Sequence, residues 1–167
     1  MNDITNVCLS CGSCCDGTLI GFVQLEREEL PVLTELMDIE NADGEGFFLQ
    51  PCNNYCNGCT IYDSRPKQCA KFLCGLLTSL ERKEVDLNSA LEIVKVVKQK
   101  RIAIEEKLAL LQVELQSPSF HFKMVELKKL LQKNELEATL THDQIDLLAD
   151  IEQLDSLLLD KFGVSLL

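Results

Sequence analysis

Cysteine is the residue type with the most chemistry to offer in this chain, and all nine cysteines lie within its first 74 residues out of 167. They open as C-x2-C-x2-C-C (Cys8, Cys11, Cys14, Cys15) and resume as Cys52, Cys56, Cys59, Cys69 and Cys74. Sulfur donors two residues apart can converge on one soft ion while the short loop between them offers amides to the sulfurs, so the pattern points to thiolate coordination of a metal. A disulfide framework is the competing use. Against it, the count is odd, and a bridge between the neighbours Cys14 and Cys15 needs strained geometry. The opening Met1 to Val7 also lacks a positive segment followed by a long apolar one. The expectation is a protein of the reducing cytosol, where thiols persist.

Adjacent residues diverge on a helix or a strand, so Cys14 and Cys15 are expected to serve two centres, or one of them to bridge. Cys69 and Cys74 diverge in the same way. Pro66 suits a helix start, with Asp63 or Ser64 as its cap, which sets Cys69 near the first turn where the dipole favours a thiolate. Arg65, Lys67 and Lys71 surround Cys69 and are candidates to offset the charge of four thiolates on a divalent ion. Arg65 is the strongest of these, although its fork also suits a carboxylate. Tyr62 either donates its hydroxyl to a sulfur or packs, with packing favoured. Cys56 reads as a spare ligand or bystander rather than a nucleophile.

The elements that must position these thiols change character near residue 80. Before it they are short and punctuated by Gly, Pro and Asn: a strand over Thr18 to Val23, a helix over Glu26 to Met37, and a loop over residues 41–46. So little apolar material suggests a lobe that depends on bound metal for its fold. Beyond residue 80 a heptad seam runs through Leu87, Ala90, Val94, Val97, Arg101, Ile104, Leu108, Leu111 and Leu115. Asn88 is the expected N-cap and Ser117-Pro118 the stop. Arg101 in the seam either snorkels or sets a register. A second helix carries Phe120, Met124, Leu127 and Leu131. A third opens on the capping box Thr141-x-x-Gln144 and carries Ile145, Leu148, Ile151, Leu154 and Leu158. Short connections favour an antiparallel bundle, the alternative being a seam offered to another chain. The expected fold is mainly α: a small irregular metal-stabilised cysteine-rich lobe, 1–79, followed by a helical hairpin or three-helix bundle, 80–167.

The opening quadruple, then Pro51-Cys52, then the string from Cys59 to Cys74 containing C-T-I-Y-D-S-R-P-K-Q-C, resembles the YkgJ-type cysteine-cluster family of zinc- or iron-chelating domains over residues 8 to about 77. The resemblance implies eight metal-binding cysteines, Cys8, Cys11, Cys14, Cys15, Cys52, Cys59, Cys69 and Cys74, and leaves Cys56 as surplus. It also implies kinship to the cluster region of flagellin lysine-N-methylases, where an iron-sulfur role accompanies methyl transfer. Eight thiolates suffice for two zinc ions of four ligands each, or for an iron-sulfur cluster. The first three cysteines have a ferredoxin rhythm, but the fourth follows at once and is succeeded by Asp16 rather than proline. His121 and His142 lie far from the cysteines in sequence and are expected at the surface or at caps, so a mixed cysteine and histidine finger is not suggested.

Net charge is −11, with four basic and eleven acidic residues up to position 79 and twelve and sixteen beyond it. Neither part makes a phosphate-binding footprint, so nucleic acid is disfavoured as a partner. No apolar run reaches the ~18 residues of a membrane span. Nucleotide loops, Ser-His-Asp sets and paired-carboxylate clefts are not apparent. The leading expectation is a non-catalytic metal-binding module whose helical tail packs or recruits a protein partner or a second copy. Its rivals are an iron-sulfur redox or methyl-transfer enzyme, with Arg65 and Tyr62 beside the cofactor, and a helical adaptor.

Overall fold

The computed structural model describes residues 3–42, 45–135 and 140–166. Helix α1 (Asp3–Cys11) is followed by strand β1 (Phe22–Leu25), the one-turn helix α2 (Leu30–Leu33), and strands β2 (Glu40–Ala42) and β3 (Glu45–Leu49). Then come α3 (Lys67–Lys71), α4 (Gly75–Glu81) and the long helices α5 (Leu87–Leu110), α6 (Phe120–Glu135) and α7 (His142–Phe162). The protein is mainly helical, and no helix among the described residues is long and apolar enough to cross a membrane.

The apolar periodicity beyond residue 80 does what its spacing predicts. Ala90, Val94, Val97, Ile104 and Leu108 of α5 are buried, and α5 packs against both α7 and α1. Helices α5 and α7 run antiparallel, since Lys107 pairs with Asp150 at 2.5 Å and Lys100 donates to Gln153 at 2.9 Å. Phe120, Met124, Leu127 and Leu131 of α6 enter the same core. The Thr141 and Gln144 capping box is formed with both of its reciprocal bonds.

Other details depart from expectation. Asp86, not Asn88, caps α5, accepting from Ser89 N, because that three-residue reach is the one an N-cap carboxylate makes. Helix α5 ends at Leu110, ahead of Ser117-Pro118, with Gln112 at φ 53°, so Leu111 and Leu115 of the seam fall beyond it. On α7 the buried face is Leu147, Ile151, Leu154, Leu158 and Phe162, one residue round from Ile145, which is 52% exposed.

The front of the chain has more apolar structure than its sequence suggests. Strands β1, β3 and β2 form an antiparallel sheet in that order, so the expected loop over 41–46 is largely strand, with 43–44 outside the described residues. The expected strand over Thr18 to Val23 begins only at Phe22, because Asp16 caps Thr18 through both its N–H and its hydroxyl and Gly21 lies against the Phe122 ring. The expected helix over Glu26 to Met37 shrinks to four residues around Pro31, which can only begin a helix. Val23, Leu25, Leu33, Met37 and Phe48 make a small core of their own. Val7, Cys11 and Leu19 join the large core of α4 to α7 instead, so helical residues beyond position 80 pack directly on the cysteine segment.

Two contacts from α5 fix that packing. Lys98 donates to Ser10 O at 2.6 Å, placing a cation at the C-terminal end of α1, which has no basic residue in its last turn. Arg101, the charged residue in the seam, faces Asp16 at 3.6 Å and Glu105 at 3.1 Å. It reads neither as a snorkel nor as an interchain register device but as an internal tether to the loop that follows Cys15.

Candidate metal centre

The cysteine loop is built by the end of α1. Gly12 takes a left-handed conformation, φ 65°, and its missing side chain leaves room for the ring of Tyr55. The chain then turns through Ser13 to Gly17, with Asp16 N donating to Gly12 O at 2.9 Å and Leu19 N to Ser13 O at 2.9 Å. Cys52 N donates to Cys15 O at 2.8 Å, which joins the two distant cysteine stretches backbone to backbone. Past it, Tyr55 and Cys59 close a small antiparallel bridge, with Asn57 and Gly58 at positive φ.

These turns bring Cys8, Cys11, Cys14, Cys15, Cys52, Cys59, Cys69 and Cys74 to the wall of one cavity of about 80 Å³. That is room for several water-sized bodies at about 10–15 Å³ each. Cys56 is exposed and does not line it. All nine cysteines are free thiols. Neither His121 nor His142 is among the residues that line the cavity: His142 is exposed at the start of α7, while His121 is half-buried at the start of α6.

Burial is the first influence on Cys8, Cys11, Cys14, Cys15, Cys52, Cys69 and Cys74 and pushes them up, Cys11 to about 11 and Cys69 to about 12. Neighbouring sulfurs add to it, and their identities divide the cavity. Cys14 is raised by burial and then by Cys11 and Cys74 ahead of Cys15 and Cys8, whereas Cys15 is raised by burial and then by Cys59, Cys52, Cys69 and Cys8; Cys8 stands between the two sets, since the sulfur that raises it is Cys59 while it also raises Cys74. Packing draws the same line: Cys8, Cys11, Cys14 and Cys74 belong to the large helical core, and Cys52 and Cys69 to the small sheet core. Adjacent Cys14 and Cys15 therefore face different companions, as do Cys69 and Cys74, which sit on separate helices, α3 and the N-cap of α4.

Opposing the rise are groups that favour a charged sulfur. The N–H groups of Leu77 and Leu76 serve Cys74 at the start of α4, Asn54 N–H serves Cys52, and Ser13 bonds Cys11 at 3.2 Å. Tyr62 lines the cavity, and its hydroxyl holds the Cys8 thiol lower than burial alone would. The Arg65 guanidinium lies 3.7 Å over the Tyr62 ring, bonds Tyr62 O, and lowers both Cys8 and Cys69.

Lys67 and Lys71 do not share that role. Lys67 pairs with Glu26 at 2.6 Å and with Glu28, and Lys71 reaches Glu26 at 3.5 Å, so both cations are spent on surface carboxylates. Neither Asp63 nor Ser64 caps α3; Pro66 occupies the N-cap and Glu29 takes the Lys67 N–H instead. Ser13, Tyr55 and Gln50 were missed as site residues. Tyr55 had a signal, standing between Cys52 and Cys56, but Gln50 had none beyond its place before Pro51-Cys52.

An all-sulfur donor set with amide, hydroxyl and guanidinium donors around it fits the chemistry of zinc or an iron-sulfur cluster. The closing of sulfurs around a point is not made: among the described residues no group of three or more His, Cys, Asp or Glu side chains converges as a metal ion requires. No family model, curated protein or solved structure matches the chain. The cavity itself must carry the functional reading.

Proposed function

We propose that this is a cytosolic metal-binding protein whose cysteine cluster holds zinc or an iron-sulfur cluster, with two four-thiolate centres as its basic arrangement. The observation that carries the reading is that eight of nine cysteines, drawn from two stretches of chain, line one cavity. Cys11, Cys14 and Cys74 with Cys8 would form one centre, and Cys15, Cys52, Cys59 and Cys69 the other. Buried thiols that crowd one another stay protonated without a cation, and a metal ion relieves that repulsion by displacing the protons. The resemblance to the YkgJ-type family over residues 8–77 leads to the same eight residues. The bound group would supply a structural crosslink or, as an iron-sulfur cluster, one-electron chemistry.

The helical tail supports a scaffold role, since Leu110, Ile145 and Leu159 leave apolar surface on α5 and α7 at 82%, 52% and 57% exposure for a protein partner or a second copy. Protein purified without oxygen tests the reading. About two zinc ions per chain, or iron with acid-labile sulfide and a visible spectrum bleached by dithionite, are the expected results. Bleaching would also favour the second reading, an iron-sulfur redox or methyl-transfer enzyme with Arg65 and Tyr62 beside the cluster. Protein that is free of metal and does not take it up on reconstitution would end both.

A further inference from the structure

Cys69 stands on α3, a five-residue helix whose N-cap, Pro66, offers no side-chain cap. So short a helix has too few internal bonds to hold itself, and its place must come from what it is tied to. Among the described residues, its hydrogen bonds and ion pairs to the rest of the fold all lead to residues 24–29, a stretch without cysteines. Gln24 N donates to Gln68 Oε1 at 2.5 Å, Lys67 Nζ pairs with Glu26 and Glu28, and Lys71 Nζ reaches Glu26. Lys67 N donates to Glu29 Oε1 at 2.7 Å.

These ties are unequal. The lysine pairs and the Gln68 bond are exposed, where water competes, and surface ion pairs contribute little. The Glu29 bond is part-buried and charge-assisted, and it is made to a backbone N–H, so it fixes the chain rather than a flexible side chain. The other carboxylate oxygen, Oε2, accepts from Glu26 N at 2.9 Å. One side chain thus joins backbone groups 41 residues apart. Its charge serves no thiolate, because Glu29 pushes the Cys69 thiol up while Arg65 lowers it.

We propose that Glu29 is a positioning residue for Cys69: its carboxylate holds the first N–H of α3, and with it the place of that sulfur in the set of Cys15, Cys52, Cys59 and Cys69. The inference rests on the metal-binding reading and adds to it the residue through which a segment without cysteines sets the loop-borne centre.

Anaerobic cobalt(II) titration of the reduced, metal-free full chain tests this, read by thiolate-to-cobalt charge transfer over two equivalents. Glu29→Ala should bind one equivalent as wild type does and the other about 10- to 100-fold more weakly, the range typical of lost groups that orient a ligand. Glu29→Gln keeps an oxygen for Lys67 N, sheds the charge and leaves the exposed Glu26 N to water, so it should bind both equivalents at least as tightly as wild type. Lys67→Pro removes the N–H at a first helical position that suits proline, after a residue whose ψ of 147° already fits one, and should copy Glu29→Ala. Lys67→Ala loses only the ammonium pairs and should bind as wild type. Wild-type or tighter binding of both equivalents by Glu29→Ala overturns the inference and leaves the metal-binding reading standing. Equal weakening of both equivalents also overturns it, since that marks a general loss of fold, as does Glu29→Gln that binds as weakly as Glu29→Ala. Wild type that binds no cobalt overturns the inference together with the reading beneath it.

Discussion

The two companies of thiols stand on different foundations. Cys8 and Cys11 ride on α1 and Cys74 caps α4, and with Cys14 they are packed into the core that also holds Val94, Val97, Leu154 and Leu158. Cys15, Cys52 and Cys59 come from turns and Cys69 from a five-residue helix, beside a small core around Val23 and Phe48. A helical core holds its residues in place whether or not a ligand is bound, because burial of the apolar stripe is what forms the helices. Turns and one-turn helices have no such reserve. The comparison teaches that metal would find the first set positioned in advance and would itself order the second.

Metal removal is the strongest way to break this comparison, since metal binding in structural zinc modules is worth on the order of 10 kcal/mol. After chelation under reducing conditions, hydrogen exchange should speed sharply through residues 50–72 while α5 and α7 keep their protection. Equal loss in both regions would mean that the two foundations are one.

Serine in place of the adjacent cysteines sharpens it further. Cys14→Ser and Cys15→Ser should each lower metal content from two equivalents to one, the first sparing order at 50–72 and the second losing it. If either substitution empties the protein, the cavity holds a single multinuclear group.

Truncating the helical foundation comes next. Leu158 is fully buried on α7, so Leu158→Ala should cost about 2–5 kcal/mol, read as a lower midpoint in denaturant. The loss should fall on the metal-free protein as fully as on the loaded one. A metal-dependent cost would tie α7 to the loop-borne thiols instead.

What could be read in the sequence follows the same division. Regular burial leaves a periodic trace, so Val94, Val97, Ile104, Leu108 and the Thr141 to Gln144 box announced their helices. Two-residue cysteine spacing and the family resemblance brought the eight cavity residues together and set Cys56 apart. Contacts made by distant residues left no such trace. Lys67 looks like a cation for Cys69 until Glu26, 41 residues earlier, is seen to take it. Arg101 looks like a seam anomaly until Asp16 faces it. The pairing of β2 with β3 left little local signal, since Asn41, Ala42, Glu45 and Gly46 are poor strand formers, and the loop expectation followed them.

His121 tests the joint between the helices and the cysteine loop with the smallest expected effect. Its N–H donates to Gly17 O at 2.7 Å, two residues past Cys15, and its ring lies edge-on to Phe122 with a centroid separation of 5.7 Å. Nδ1 is buried without a partner, and burial lowers the imidazole below its ordinary 6.5. The unfolded chain thus takes up a proton at a higher pH than the folded one. Its contribution is complete above pH ~6.5, declines as pH falls from there, and levels off below the folded value. His121→Leu retains His142, so subtracting the two stability curves between pH 5 and 8 isolates this one imidazole. The wild type should lose stability relative to the variant on acidification, by about one or two degrees in Tm for so partial a burial. Parallel curves would show that α6 docks on the Gly17 loop through its backbone alone, with the imidazole indifferent to its charge.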